Sequence, residues 1–557
     1  MSSSSEKEDQ DREDGVLLDS DEPQAQDDKR EGGKGEEGGL KKELSLFNSV
    51  TFVVGSIVGS GIYITASNTV KYSGSIGLSL VMWLLGSLVA VAGGLSYMEI
   101  ATLIPSSGGD YAYLREMYSF GRRGERKRER RGEEETRGEE DLTLKDGDGE
   151  GFFVTFGSLL GFLFGWSTVV LIRPASNAVQ LLTFGKYFSH ALLLVGGIWG
   201  GATSELVTIL AVISGIILTL INIFSVKLTA HIMNISGIAK ISCMIFISCI
   251  GVWTYAKGDY SDNFDNVFDG TSTCIGDISL ALYSVLWTYD GWNSLIYTVE
   301  ETKNAEKNLP KGILIGVPIV TVCYLFVNWS YYISLNKHEI LSSEATALTL
   351  GNVTLGSIGV LLISVSVSIS TLGTGLIGMY SGSRVAYVLA RDGSLMNTFS
   401  GLHNQWNTPI QAILLQSILT LLYVLVGNIG HIINGLSPVM WLFYCLSFIG
   451  LLIMRYTKRN IKRPFKVWTP VPMVMICSAL FLITVPLVFV SGERWYILLG
   501  LILVLTGAPV YLLLVHNKYR PAVFTRISSM ITDVSNKIFY TSSFNNTEDI
   551  TIEYSYQ

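Results

Sequence analysis

Long apolar runs separated by short polar connections fill the chain from about residue 44 to 516. A run of ~20 apolar residues is long enough to cross a bilayer as a helix. Twelve such windows are read, at 46–68, 76–103, 153–180, 204–224, 232–256, 277–300, 311–334, 356–388, 408–427, 432–456, 470–490 and 494–515. Three stretches break the pattern: residues 1–43, 121–150 and 517–557 are polar and mostly rich in charge or small residues. The pattern predicts an all-α membrane protein. Residues 44–516 form the membrane domain, with a charged cytosolic insert at 121–150 and cytosolic tails at 1–43 and 517–557. The N-terminal tail has no apolar core and reads as a disordered tail, not as a signal peptide.

Composition agrees: 48% of the 557 residues are hydrophobic, 16% are charged and the mean hydropathy is +0.39. Loop charges set the orientation. With both ends inside, the outer connections carry only Lys71, Lys186, Lys257, Lys337 and Arg494. The inner ones carry Lys303, Lys307, Lys311, Arg391 and the runs Arg122 to Arg131 and Arg455 to Lys466. This is the positive-inside bias. The net charge of -7 comes mainly from the tails and says little about partners. Six cysteines show no CxxC pair and no Cys/His metal spacing, which excludes a zinc site or a disulfide framework. Only Cys274 falls in an outer loop. Asn352-Val353-Thr354 is a glycosylation sequon, expected on an outer loop close to the eighth window.

Asp290 lies inside the apolar run Ile278 to Val299. A carboxylate at membrane depth costs roughly 2.5–3.5 kcal/mol and is placed there for a function. Gly291 follows it, and Trp287 and Trp292 flank the pair. The first window has a matching interruption at Gly55, Gly59, Ser60 and Gly61. If windows one to five and six to ten are two halves, each half opens on a broken helix, the pattern of an inverted-repeat transporter. Unwinding frees N–H groups for a carboxylate and C=O groups for an ammonium, the two ends of an α-amino acid. A lone Gly-x-Gly is usually helix packing. A matched pair of breaks, one with a carboxylate, points to a site.

These residues resemble a known family. Gly59-Ser60-Gly61-Ile62-Tyr63 resembles the first-helix signature of the amino acid–polyamine–organocation superfamily, which implies the LeuT-type fold with a 5+5 inverted repeat. Ser106 to Tyr118, Leu171 to Val179, Asn263 to Gly270, Leu286 to Asn293, Glu300 to Ile313 and Lys462 to Val467 narrow the resemblance to the light chains of heteromeric amino-acid transporters. Trp287 with Asp290 is most similar to the b-zero-plus subtype, which implies exchange of dibasic amino acids and cystine for neutral ones. The resemblance places a substrate carboxylate at Gly59, Ser60 and Gly61, and an α-ammonium near the carbonyls of Ile57, Trp287 and Asp290. It makes Trp287 an outer cap, puts Thr374 on the site wall and gives Arg173 a structural place at the Pro174 bend. Gly291 and Ser294 complete the candidate site.

Lys240 holds a fixed ammonium in the fifth window, where sodium-coupled members of this fold bind a cation between spans one, five and eight. Sodium-independent transport is therefore expected; the competing reading has Lys240 reaching to the inner surface. Asp290 is expected to meet either a cationic substrate or an internal base, Arg173 or Lys240. Glu99, Glu300 and Glu301 with Arg384 and Arg391 read either as a cytosolic gate or as solvated helix ends.

Two departures from the family stand out. Light chains of this family join a single-pass heavy-chain glycoprotein through a cysteine between spans three and four, and Ser189 to Glu205 has none. A non-covalent heavy chain, or none, is implied. Leu376-Ile377 and Ser294 also differ from the usual pocket residues, which opens the substrate range. The block 121–150 reads as a solvated cytosolic loop able to meet lipid headgroups, or as an unspliced or misassigned exon. A nucleic-acid reading is excluded by its acidic half and its lack of aromatics. Neither a cofactor motif nor a catalytic triad is present. The expected function is sodium-independent plasma-membrane antiport of cationic for neutral amino acids. The alternatives are a large-neutral amino-acid exchanger and a membrane amino-acid sensor.

Overall fold

A computed structural model of the chain describes residues 44–105, 109–119, 148–197, 203–224, 226–258, 261–299, 302–343, 345–406, 408–515 and 522–542. The expected N-terminal tail, most of the charged insert and the last fifteen residues, 543–557, lie outside that set.

The first apolar window becomes two helices, α1 (Leu46–Ile57) and α2 (Gly61–Ser73), bent by 55° at the break between them. Ser45 starts α1 by accepting the N–H of Asn48, and Ser75 does the same for Leu78 at the head of α3 (Ile76–Leu103). Both satisfy a donor that the first helical turn leaves free. A short helix, α4 (Gly109–Met117), follows. The third window is a long rod. It runs through α5 (Asp148–Ser167), a π-helical turn at Thr168–Ile172 and α6 (Arg173–Val195). Pro174 lacks the N–H that an α-helix would bond there, which fits it at the start of α6.

The fourth and fifth windows are α7 (Ser204–Phe224) and α8 (Val226–Lys257). The sixth is interrupted: α9 (Ile275–Thr288) ends at Tyr289, and a 3-10 turn at Ser294–Thr298 replaces the second half-helix. Helix α10 (Ala305–Ser334), the short α11 (Lys337–Ser342) and α12 (Thr346–Arg391) follow. Gly356 kinks α12 at φ +61°, at the start of the eighth window. The sequon residues Asn352 to Thr354 therefore sit in helix before that kink and not in a loop, and Thr354 bonds back to the Leu350 carbonyl.

The chain continues through a 3-10 turn at Asn397–Ser400, β1 (Leu402–His403), α13 (Ile410–Val424), α14 (Ile429–Thr457), α15 (Pro470–Phe489), α16 (Arg494–Leu505) and α17 (Gly507–Leu514). It ends in α18 (Ala522–Phe539) and β2 (Thr541–Ser542). The C-terminal segment is thus partly ordered, because β2 pairs antiparallel with β1.

Among the described residues nine helices are long and apolar enough to cross a membrane, and the bent pair α1–α2 makes a tenth. The sixth and ninth windows hold shorter apolar helices, α9 and α13, of 14 and 15 residues. Every predicted window carries helix, while length alone gives fewer than twelve full spans. Aliphatic side chains such as Leu88, Ile217, Ile245 and Ile358 stay about half exposed or more, as a lipid-facing surface requires. Inside, α9 packs on α2, α10 on α1 and α3, and α12 on α6 and α8. The two interrupted spans are thereby held side by side at the centre, the arrangement of the LeuT-type fold.

Candidate substrate site

The two breaks touch through backbone, and glycine makes this possible. Gly291 has φ +106°, a conformation other residues rarely adopt, and a Cβ there would lie 2.6 Å from the Ser56 carbonyl oxygen. A Cβ on Gly61 would lie 2.7 Å from Thr288 Oγ1. Side chains lock the same contact. Thr65 and Thr288 share a hydroxyl hydrogen bond of 2.9 Å between α2 and α9. Tyr324, on α10, lies 3.1 Å from the Ile57 carbonyl and 3.2 Å from the Thr288 carbonyl, so one hydroxyl bridges the freed ends of both broken helices.

A cavity of about 600 Å³ opens at this junction. Its size lies within the usual range for small-molecule sites, ~300–1,000 Å³. Ile57, Gly59, Ser60, Gly61, Trp287, Asp290, Gly291, Ser294 and Thr374 all line it, and so do Lys240 and Arg173. It extends beside α1 towards Asn48 and Leu44. Residues 230 positions apart in sequence thus converge because the fold stacks the two breaks. Trp292 does not join them: it is buried in an aromatic cluster, with Tyr97 at 5.2 Å and Tyr444 at 5.1 Å between ring centres.

Several polar atoms of the lining residues have no protein partner. Ser60 Oγ, Asn177 Nδ2, Gln180 Oε1 and Arg173 Nε are buried and make no hydrogen bond. Buried polar groups are nearly always satisfied, so four unmade bonds around one cavity mark a place prepared for a polar guest or water. Helix α2 adds to this, since Ser60 at its N-cap makes no side-chain capping bond and leaves the first N–H groups facing the break. The Ile57 carbonyl already accepts from Tyr324 but has a second lone pair, whereas the Trp287 carbonyl takes both the Tyr289 and the Asp290 N–H.

Asp290 is half-buried with its carboxylate at the cavity. Oδ1 accepts the Tyr444 hydroxyl at 3.2 Å, and Asn293 reaches that hydroxyl from the other side. Among the described residues no lysine or arginine nitrogen comes within 4.0 Å of it. Arg173 acts on it only through space. Lys240, almost fully buried on α8, likewise has no carboxylate within 4.0 Å, and its backbone carbonyl accepts the Tyr63 hydroxyl. The burial of Lys240 runs against a side chain that reaches the inner surface.

The sequence reading did not single out Asp110, Asn177, Gln180 or Tyr444, which also line the cavity. Asp110 is buried and accepts from Tyr97 Oη at 2.6 Å and Ser447 Oγ at 3.1 Å. A lone carboxylate between small residues and tyrosines gave no periodic signal for it.

Glu99 fits neither the gate nor the solvated helix end. Its carboxylate is completely buried and receives Arg455 Nε at 2.9 Å, Arg455 Nη2 and the Val467 N–H at 2.8 Å. It is committed to the end of α14 and the following loop, not to Arg384 or Arg391. Arg384 instead lies over the Tyr380 ring at 4.9 Å, and Arg391 is exposed. Glu300 and Glu301 lie outside the described residues. All six cysteines are free, and Cys274 is exposed.

The amino acid permease family model matches residues 44–125 and 147–508, interrupted only within the charged block. The mouse b(0,+)-type amino acid transporter 1 is 32% identical over 495 residues, covering 88% of this chain and 91% of that protein. The human protein of that name is 32% identical over 494 residues, with the same coverage. The human large neutral amino acids transporter small subunit 2 is 30% identical over 504 residues, covering 90% of this chain and 85% of that protein. These are transporters, not enzymes. In sequence over most of its length, the chain belongs to the amino acid permease family, among the light chains of heteromeric amino-acid transporters.

Proposed function

We propose that this multi-pass membrane protein is a sodium-independent exchanger of α-amino acids that takes cationic substrates, and cystine, against neutral ones. Asp290 carries the proposal: a carboxylate at the cavity, held by Tyr444 and without a basic side chain within 4.0 Å among the described residues, is placed to meet a lysine, arginine or ornithine side chain. The α-carboxylate would sit at the N–H groups of Ser60 and Gly61 with Ser60 Oγ, which has no other bond to make. The α-ammonium would sit near the Ile57, Trp287 and Asp290 carbonyls. Trp287 would close over the guest, with a ring face that attracts cations. Gly291 permits the close contact of the breaks, and Thr374 and Ser294 would bound the side-chain pocket. Lys240 would supply the fixed charge that sodium supplies in coupled relatives of this fold.

With the N-terminus in the cytosol, the path beside α1 is the inward exit, and exchange proceeds by alternating access around the breaks. Plasma-membrane placement and a non-covalent single-pass heavy chain belong to the same proposal; the 189–205 segment offers no cysteine for a covalent one. Pull-down of the native protein tests the partner.

A second reading is favoured by Arg173, which shares the cavity and whose Nε is unpaired. If its charge serves Asp290, the protein exchanges large neutral amino acids only. Proteoliposomes loaded with unlabelled amino acid and assayed in sodium-free buffer decide. The first reading predicts uptake of both labelled arginine and labelled leucine. Leucine alone would support the second, and binding without uptake would point to a sensor.

A further inference from the structure

Helix α18 is amphipathic, with part of its polar side turned to the protein and Arg526, Asp533 and Lys537 exposed. Ser528 and Thr532 are buried on the inward side, and Thr532 Oγ1 lies 2.9 Å from Thr398 Oγ1 in the turn after α12. Beyond the helix, Gln411 donates to Thr541 Oγ1 at 2.6 Å and β2 pairs with β1, while Phe539 packs beside Ile223, Ile410 and Ile413. A separate side carries Ile527, Met530, Ile531, Val534 and Ile538, between 45% and 67% exposed. Their spacing of three and four residues makes one continuous apolar stripe. Helix α18 is thus fixed at both its middle and its end, with five large apolar side chains facing outward.

The surroundings identify what covers the stripe. The anchors are the ends of membrane helices: the last turn of α7, the turn after α12 and the first turn of α13. Trp406 stands beside β1, stacked on His403 at 4.1 Å and edge-on to Phe224 at 4.7 Å, and both Trp406 and Phe224 are exposed. Exposed aromatics at span ends mark the membrane–water boundary, where an indole meets both apolar chains and water. Arg526 and Lys537 are exposed on α18, with Lys518 and Arg520 just upstream in sequence. Such basic residues suit lipid phosphates.

We propose that α18 lies in the plane of the membrane–water interface, with the stripe from Ile527 to Ile538 seated at the acyl boundary of the adjacent leaflet. The membrane lipid is its partner, and the helix ties the loop between α12 and α13 to the bilayer surface. The proposal rests on the membrane fold and is independent of substrate choice.

The test uses the full chain in phospholipid nanodiscs, with Cys249, Cys274 and Cys477 replaced by serine. An environment-sensitive NBD label is placed at Val534→Cys and, separately, at Asp533→Cys. The Val534 site should show a blue-shifted emission that is lost when doxyl-labelled lipid is included and is insensitive to aqueous iodide. The Asp533 site should be less sensitive to doxyl lipid and more sensitive to iodide. Iodide quenching at Val534 equal to that at Asp533 would overturn the proposal. Protection from both quenchers would also overturn it, in favour of a protein partner. Because cysteine replacement can unfold the chain, the unmodified protein is also photolabelled with a carbene-generating phospholipid. Adducts on the peptide spanning 527–538 are expected, and their absence would overturn the proposal.

Discussion

Replacing Asp290 by asparagine removes one negative charge from the cavity and little else. The amide is isosteric and keeps an oxygen for the Tyr444 hydroxyl, so the break and its packing should survive. A guanidinium about 4 Å from the carboxylate, at an effective dielectric near 20, would gain roughly 4 kcal/mol. Asp290 is intermediate in burial as a residue, and both its carboxylate and the substrate give up hydration when they meet, so the net loss should be about 1.5–3 kcal/mol. That is a roughly 10- to 150-fold weaker half-saturation for arginine. Leucine has no group to meet the charge and should change by less than about twofold. Counterflow of the two labelled amino acids in the same sodium-free proteoliposomes gives both numbers. Unchanged arginine uptake would refute a substrate-facing role for Asp290. An equal loss for arginine and leucine would refute it differently, by making the carboxylate a counter-charge for Arg173 that the empty site needs.

Other outcomes follow from the same geometry. Gly291→Ala should reduce uptake of both substrates and lower thermal stability, since the strained φ alone costs roughly 1–3 kcal/mol and the Ser56 carbonyl blocks the new methyl, whereas Gly492→Ala, with open space around it, should be silent. Tyr324→Phe keeps the ring beside Trp83 and Tyr289 but leaves the Ile57 and Thr288 carbonyls without their shared donor; a loss of about 1–3 kcal/mol in melting experiments is expected, with arginine and leucine affinity reduced together. Glu99→Gln strands the Arg455 guanidinium and should destabilise the detergent-solubilised protein by about 3–5 kcal/mol, while protein that survives keeps its substrate preference, because Glu99 is not on the cavity wall.

The apolar windows and both helix breaks were legible in sequence because bilayer thickness fixes helix length, and glycine beside a membrane carboxylate has few structural uses. Gly59, Ser60, Gly61, Trp287, Asp290 and Gly291 could be named for the same reason, since they cluster at the two breaks, whereas Ile57, Ser294, Thr374 and Lys240 came with the family resemblance. Tyr444, Gln180 and Asp110 were invisible, since each looks like ordinary helix or loop until packing turns it towards the cavity. Glu99 and Arg455 lie 356 positions apart, and nothing local announced their pairing. Sequence by itself determined that this chain crosses a membrane many times and interrupts two helices, because hydropathy and backbone chemistry are local. Only tertiary structure decided that the interruptions touch through Gly291 and Gly61, that Asp290 meets Tyr444 rather than a lysine, and that α18 presents its apolar side outward. Those outcomes depend on which faces the helices bury against one another, and that is a property of the whole packing.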